Sequence, residues 1–333
     1  MSPKAKNITF FSIFAFLSIL VLVLGTIFDL QISKAIADLQ PGQYFTKNIF
    51  SIIGETIGEN VLYILLVCSF AILFYYLKYK PLNKIWLTKT LQGLLGFAAT
   101  VVSFYCLFNT LEQISNHTLL GIDKYISSTI GIISIVLLSV VITILTFFLF
   151  SKISEVNISY LWKWAVCVVI LSAISNGIVQ ASKIVFDRTR YRAMIFEGYT
   201  DFQYYNPWYS LKDNTFESIS IYANDFFKSF PSGHTCAAAS SFFLVLLPSF
   251  FPQTNNKKWK TIFLTFAIIY TILVGASRII AGAHFFTDVF VGGMITVVCT
   301  LIAKLIIEKL NKKEDKKSIQ AKRTACWLKS FNF

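Results

Sequence analysis

The chain has 333 residues and a mass of 37.7 kDa; it is 55% hydrophobic and 16% aromatic but only 14% charged, with mean hydropathy +0.64. Soluble globular domains carry about 25% charged residues, so this composition excludes an ordinary soluble enzyme, and 33 Phe beside 7 Pro exclude a disordered or collagen-like chain. The net charge of +13 reads as the cytoplasmic cation excess of a multi-spanning membrane protein, and without a basic recognition module it points to no nucleic-acid partner.

A bilayer span needs about 20 mostly apolar residues. The first apolar run, 8–30, follows Lys4 and Lys6 and is too long for the core of a signal peptide, so it reads as an uncleaved helix. Further runs cover 61–77, 91–110, 130–150, 164–182, 234–251, 261–276 and 285–307. The expected fold is therefore all-α, a polytopic transmembrane helix bundle of about eight spans. Eight spans put both termini on one side. With that side cytoplasmic, most of the 30 basic residues lie there, joined only by Glu155, Glu308, Glu314 and Asp315 among the 17 acids. The exceptions are Lys34, Lys47 and Lys124, which read as solvated, then Lys183, Arg188, Arg190 and Arg192 in one cluster, and Lys212, Lys228 and Arg278.

The longest outer loop, 183–231, is rich in aromatics, among them Tyr191, Phe202, Tyr205, Trp208, Phe216, Tyr222 and Phe226. It reads equally as an interfacial belt or as a lid over a lipid headgroup. The tail, 308–333, is basic and expected to be cytoplasmic and loosely ordered. The six cysteines show neither metal-ligand spacing nor a disulfide framework, so neither metal nor disulfide is expected.

Three groups of polar residues fall at the outer ends of spans. Lys183 and Arg190 follow the fifth span; Pro231, Ser232, Gly233 and His234 open the sixth; Ser277, Arg278, His284 and Asp288 join the seventh to the eighth. Arg presents a planar fork and Lys a point charge, which together suit a phosphoryl group. Ser232 adds a hydroxyl, and the backbone N–H groups of Ser232 and Gly233 lie at a helix start, where an anion is favoured. His284 and Asp288 are spaced i, i+4, so on a helix the carboxylate would orient the imidazole as a nucleophile. His234 would be the general acid. His117, the remaining histidine, sits beside none of the cations.

These residues resemble the type 2 phosphatidic acid phosphatase superfamily of membrane lipid phosphate phosphatases. The pattern is Lys, six residues, Arg-Pro; Pro-Ser-Gly-His; then Ser-Arg, five residues, His, three residues, Asp. All three parts are present, except that Tyr191 replaces the Pro after Arg190. The resemblance covers about 164–307. It implies a six-helix core with two extra N-terminal helices, which divides the chain into an extra pair at 1–90, a catalytic membrane domain at 91–307 and the tail. The extra pair shows no catalytic residue and is expected to serve packing or partner contact.

By the same resemblance, His284 attacks phosphorus to form a phosphohistidine, Asp288 orients it, and His234 protonates the leaving group. Lys183, Arg190, Ser232, Gly233 and Arg278 hold the phosphoryl oxygens, Ser277 supports them, and no metal or other cofactor is required. The expected activity is hydrolysis of a lipid phosphate monoester or diphosphate at the outer face of the plasma (inner) membrane, towards the periplasm or cell exterior. The expected partners are the lipid phosphate substrate and the bilayer. Two readings compete: a lipid phosphotransferase using the same intermediate, and a non-catalytic lipid transporter. Sequence does not choose the lipid or the oligomeric state.

Overall fold

A computed structural model describes residues 3–117, 124, 126–186, 188–199, 201–202, 204–210 and 226–329. All regular structure among them is helical. The long helices are α1 (Pro3–Ile36), α3 (Asn60–Tyr79), α4 (Ile85–His117), α5 (Thr129–Phe150), α6 (Glu155–Phe186), α9 (Lys257–Ile280) and α10 (Phe286–Lys329). Shorter ones are α2 (Ile49–Ile57), α7 (Tyr191–Phe196) and α8 (Gly233–Ala239), which continues as a 3-10 helix over Ser240–Ser249. Seven segments are long and apolar enough to cross a bilayer, with α2 and α3 counted as one interrupted segment, Ile49–Tyr79.

The expected sixth span is the shorter segment Gly233–Ser249. Its winding compensates for its length. The seven α and ten 3-10 residues, at about 1.5 and 2.0 Å rise each, reach roughly 30 Å, the thickness of the hydrocarbon core. Pro248 removes one donor from the 3-10 stretch, and the indole Nε1 of Trp164 donates to the Phe243 carbonyl at 2.9 Å. Phe243 and Trp164 belong to the main apolar core, with Leu65, Ile72, Ile158, Val168, Leu246 and Ile307 among its other members. Helix α5 carries no charge and leaves Ile130, Leu137, Ile144 and Leu149 exposed, as a lipid-facing helix does.

Helix ends are capped where the chain turns. Asn48 Oδ1 accepts from the backbone N–H of Phe50 and Ser51, Ser128 Oγ from that of Gly131, and Asn256 Oδ1 from that of Trp259. Two of the close approaches that need glycine bear on the site. A Cβ on Gly54 would lie 2.0 Å from Ser277 Oγ, and one on Gly292 would lie 2.4 Å from the Ser232 carbonyl oxygen. These contacts seat α2 on α9 and α10 on the Ser232 turn.

The tail differs from expectation: α10 runs on as one helix to Lys329. The described part of the outer loop is packed. Tyr191 stacks on Phe202 and meets Phe285 edge-on, with Met194, Ile195, Tyr199, Tyr204 and Tyr205 around them. Lys34, expected to be solvated, lies 4.0 Å over the Phe202 ring. Lys212, Phe216 and Tyr222 lie outside the described residues.

Candidate active site

The three polar groups meet at one end of the bundle, around a cavity of about 510 Å³ lined by Lys183, Arg190, Gly233, His234, Arg278 and His284. Lys183 comes from the last turn of α6, His234 from the first turn of α8 and Arg278 from the last turn of α9. Arg190 is the N-cap of α7, its backbone N–H donating to the Phe226 carbonyl at 2.9 Å. Tyr191 therefore stands at the first helical position. A proline there would supply a preset φ and lack an N–H that has no intrahelical partner anyway, so Tyr191 serves the same turn and adds a ring against Phe285.

Residues 161–312 match the PAP2 superfamily. The match spans just under half of the chain and is consistent with a type 2 phosphatidic acid phosphatase superfamily member. No curated protein and no solved structure matches the chain. The PAP2 match and the apolar helices together support, in general terms, a membrane phosphatase of the phosphoric ester hydrolase class.

His284 of the PAP2 segment is 2% exposed and precedes α10 instead of lying within it. Its Nδ1 is 2.6 Å from the backbone carbonyl of Ser229 and 3.8 Å from Asp288 Oδ2. The i, i+4 contact expected for His284 and Asp288 is present but long, and the Ser229 carbonyl is the nearer hold on Nδ1, because the chain has not yet entered the helix at His284. A carbonyl only accepts, so Nδ1 carries the proton and Nε2 holds the lone pair. Burial, then the charges of Arg190, Arg278 and Lys183, holds the His284 imidazole well below the usual histidine range. It is the neutral form that the site favours.

Asp288 stands behind His284 and does not line the cavity. Its Oδ2 accepts from Ser229 Oγ at 2.5 Å and from the Phe285 N–H at 2.8 Å, and its Oδ1 from Arg188 Nη1 at 2.5 Å. Through Ser229 it fixes the residue whose carbonyl grips the imidazole. Ser232 also departs from expectation. Its N–H donates to the Asp288 carbonyl at 2.9 Å, and its hydroxyl oxygen accepts from the Thr235 N–H and Oγ1. Ser232 is thereby a helix cap and a staple to α10, while Gly233 faces the cavity.

The largest departure concerns the N-terminal helices, from which no site residue was expected. Glu55, on α2, places Oε1 at 2.8 Å from Arg278 Nη2 and 3.3 Å from Arg192 Nη1, and Oε2 at 3.0 Å from His117 Nε2. Glu59, between α2 and α3, places Oε1 at 3.1 Å from His234 Nδ1. Asp29, on α1, accepts from Arg188 Nη2 at 2.8 Å and from the N–H and hydroxyl of Thr287. His117 is therefore joined to the site through Glu55, against the sequence expectation. The missed signal was an acid in or beside an apolar run, Asp29 within 8–30 and Glu55 shortly before 61–77. Such a group is costly unless paired, and Asp29 and Glu55 are both buried and paired.

With Nη2 on Glu55, the Nε and Nη1 of Arg278 are buried without a hydrogen-bond partner among the described residues. One nitrogen of the guanidinium is thus anchored, and the remaining donors suit the oxygens of an anion such as a phosphoryl group.

Proposed function

We propose that this protein hydrolyses a lipid phosphate monoester or diphosphate through a phosphohistidine on His284, without a metal. The observation that carries the reading is the Ser229 carbonyl at 2.6 Å from Nδ1, which leaves Nε2 as the nucleophilic atom beside Lys183, Arg190 and Arg278. Nε2 forms a bond to phosphorus as the bond to the leaving oxygen breaks. The electron pair moves to that oxygen, and His234 supplies its proton. The three cations offset the charge on the phosphoryl oxygens in the transition state. Neutral His234 then takes a proton from the water that cleaves the N–P bond, releasing phosphate and restoring His284. Lys80, Lys84, Lys152, Lys257 and Lys258 lie at the helix ends opposite the cavity, which supports a site at the outer face with both termini cytoplasmic.

The cavity also favours a second reading. Beyond the cations it is lined by Gln113, Asn116, Asn176 and Gln180, groups that would hold a hydroxyl-bearing acceptor of the phosphoryl group.

The test is phosphate release from a panel of purified lipid phosphates in EDTA, with His284→Ala and His234→Ala beside the wild type. The expected result is release by the wild type alone, with an acid-labile phosphoryl group trapped on histidine. Label appearing on an added polyol instead of as free phosphate selects the transferase. Release that needs Mg²⁺, or that survives both substitutions, removes the mechanism.

A further inference from the structure

Glu59 has no part in the reaction written above, yet its carboxylate is fixed from three directions. Oε1 faces His234 Nδ1 at 3.1 Å, and Oε2 accepts from Tyr63 Oη at 3.0 Å and from Asn109 Nδ2 at 3.1 Å. Tyr63 is one turn along α3, and Asn109 lies on the neighbouring α4. The position arises from a break. Helix α2 ends at Ile57, α3 begins at Asn60, and Gly58 and Glu59 lie between them. Inside a bilayer such a break leaves backbone carbonyls that must be satisfied. Tyr270 Oη donates to the carbonyl of Ile57 at 2.8 Å, and the Glu55 carbonyl lies 3.3 Å from His234 Nε2.

The imidazole of His234 is thus gripped at both nitrogens by the α2–α3 break, outside the PAP2 segment. Both grips are acceptors, a carboxylate at Nδ1 and a carbonyl at Nε2. An imidazole between two acceptors satisfies both only when each nitrogen carries a proton. The cations facing the ring from other helices, Lys183 and Arg278, oppose that second proton, as does neighbouring His284. The carboxylate of Glu55 is committed to Arg278, Arg192 and His117. This leaves Glu59 as the carboxylate in direct contact with the ring.

Resting on the reading of His234 as proton donor, we infer that Glu59 is its positioning residue, holding Nδ1–H so that Nε2–H is delivered to the leaving oxygen. The 3.3 Å contact to the Glu55 carbonyl is long enough to be exchanged for that oxygen. As the P–O bond breaks, its electron pair takes the Nε2 proton. The ring becomes neutral with its Nδ1–H still on Glu59. Nε2 then removes a proton from the attacking water, and the imidazolium is restored. The N-terminal helices thereby contribute to the chemistry of a site whose other reacting groups come from the PAP2 segment.

The test compares two substrates in the same preparation of the full chain: a dialkylglycerol phosphate, whose alkoxide must be protonated to leave, and p-nitrophenyl phosphate, whose phenolate leaves unaided. General acid catalysis is worth about 10²–10⁴-fold, so Glu59→Ala is expected to slow the alkyl substrate by roughly 10–100-fold and the aryl substrate by less than about 3-fold. Glu59→Gln keeps an acceptor but not the charge, and is expected to move the basic limb of the alkyl pH profile to lower pH. Both rates are normalised to the folded fraction, measured by size-exclusion chromatography in detergent, so a common loss from misfolding is removed before the substrates are compared. Equal loss on both substrates, or no loss on either, overturns the Glu59 role alone. A wild type inert on both overturns the phosphatase reading and the Glu59 role with it.

Discussion

Glu55 and Arg278 form a buried ion pair at 2.8 Å across 223 positions of the chain, tying the helix before the PAP2 segment to the cation at the heart of it. The same carboxylate holds Arg192 and His117. Breaking a buried pair leaves charge without compensation, which costs far more than an exposed pair is worth.

Glu55→Ala is accordingly expected to destabilise the protein by about 3–5 kcal/mol, the usual cost of stranding a buried charge. Thermal unfolding in detergent measures it. Glu55→Gln, which retains an acceptor for Arg278, is expected to lose less.

Arg188 is 1% exposed and bridges Asp29 of α1 to Asp288 of α10. Lysine is a point charge and cannot fork between two carboxylates. Arg188→Lys is expected to lower phosphate release by at least about 10-fold as Asp288 and Ser229 lose their fixed geometry, since small misplacements near a reacting centre cost up to 10²-fold. Unchanged turnover in Arg188→Lys would remove Asp288 from the positioning of His284.

The imidazole of His284 is held below its ordinary value of 6.5, so the folded state binds its proton more weakly than the unfolded state does. The sign follows directly: this contribution to stability is full above pH 6.5 and is lost as pH falls from there towards the folded value. The His284 imidazole stays neutral over the same window. The acid limb of kcat/KM that reports His284 is therefore expected below pH 6.5, and a limb above it would contradict the assignment.

Gly54 admits α2 against α9, where an added Cβ meets Ser277 Oγ at 2.0 Å and Ser277 Cβ at 2.4 Å. Gly54→Ala is expected to push α2 away, lengthen the Glu55–Arg278 contact and lower the melting temperature. Ser277→Gly removes both clashing atoms and is expected to restore much of the loss, so the double variant tests the contact through non-additivity.

Arg278 places Nε and Nη1 beyond its anchored nitrogen, so its fork and not its charge alone should matter. Arg278→Lys is expected to raise the KM for a lipid phosphate and lower kcat. Steady-state kinetics at fixed ionic strength would show either full retention, which argues for charge alone, or the expected loss.

The spans and the three PAP2 groups were legible in the sequence because hydropathy and motif spacing are local properties, each carried by a short stretch of chain. Composition likewise excluded a soluble enzyme. The acidic contacts of the site were not legible there. Whether Glu55 meets Arg278, Glu59 meets His234 or Asp29 meets Arg188 depends on how each helix is rotated and how closely it approaches its neighbour. Those quantities are decided by packing at contacts such as Gly54 against Ser277 and by the break at Gly58–Glu59. The hold on His284 shows the same division. Spacing proposed a helical i, i+4 carboxylate, but the helix starts two residues later, and the Ser229 carbonyl, 55 positions away, supplies the nearer contact.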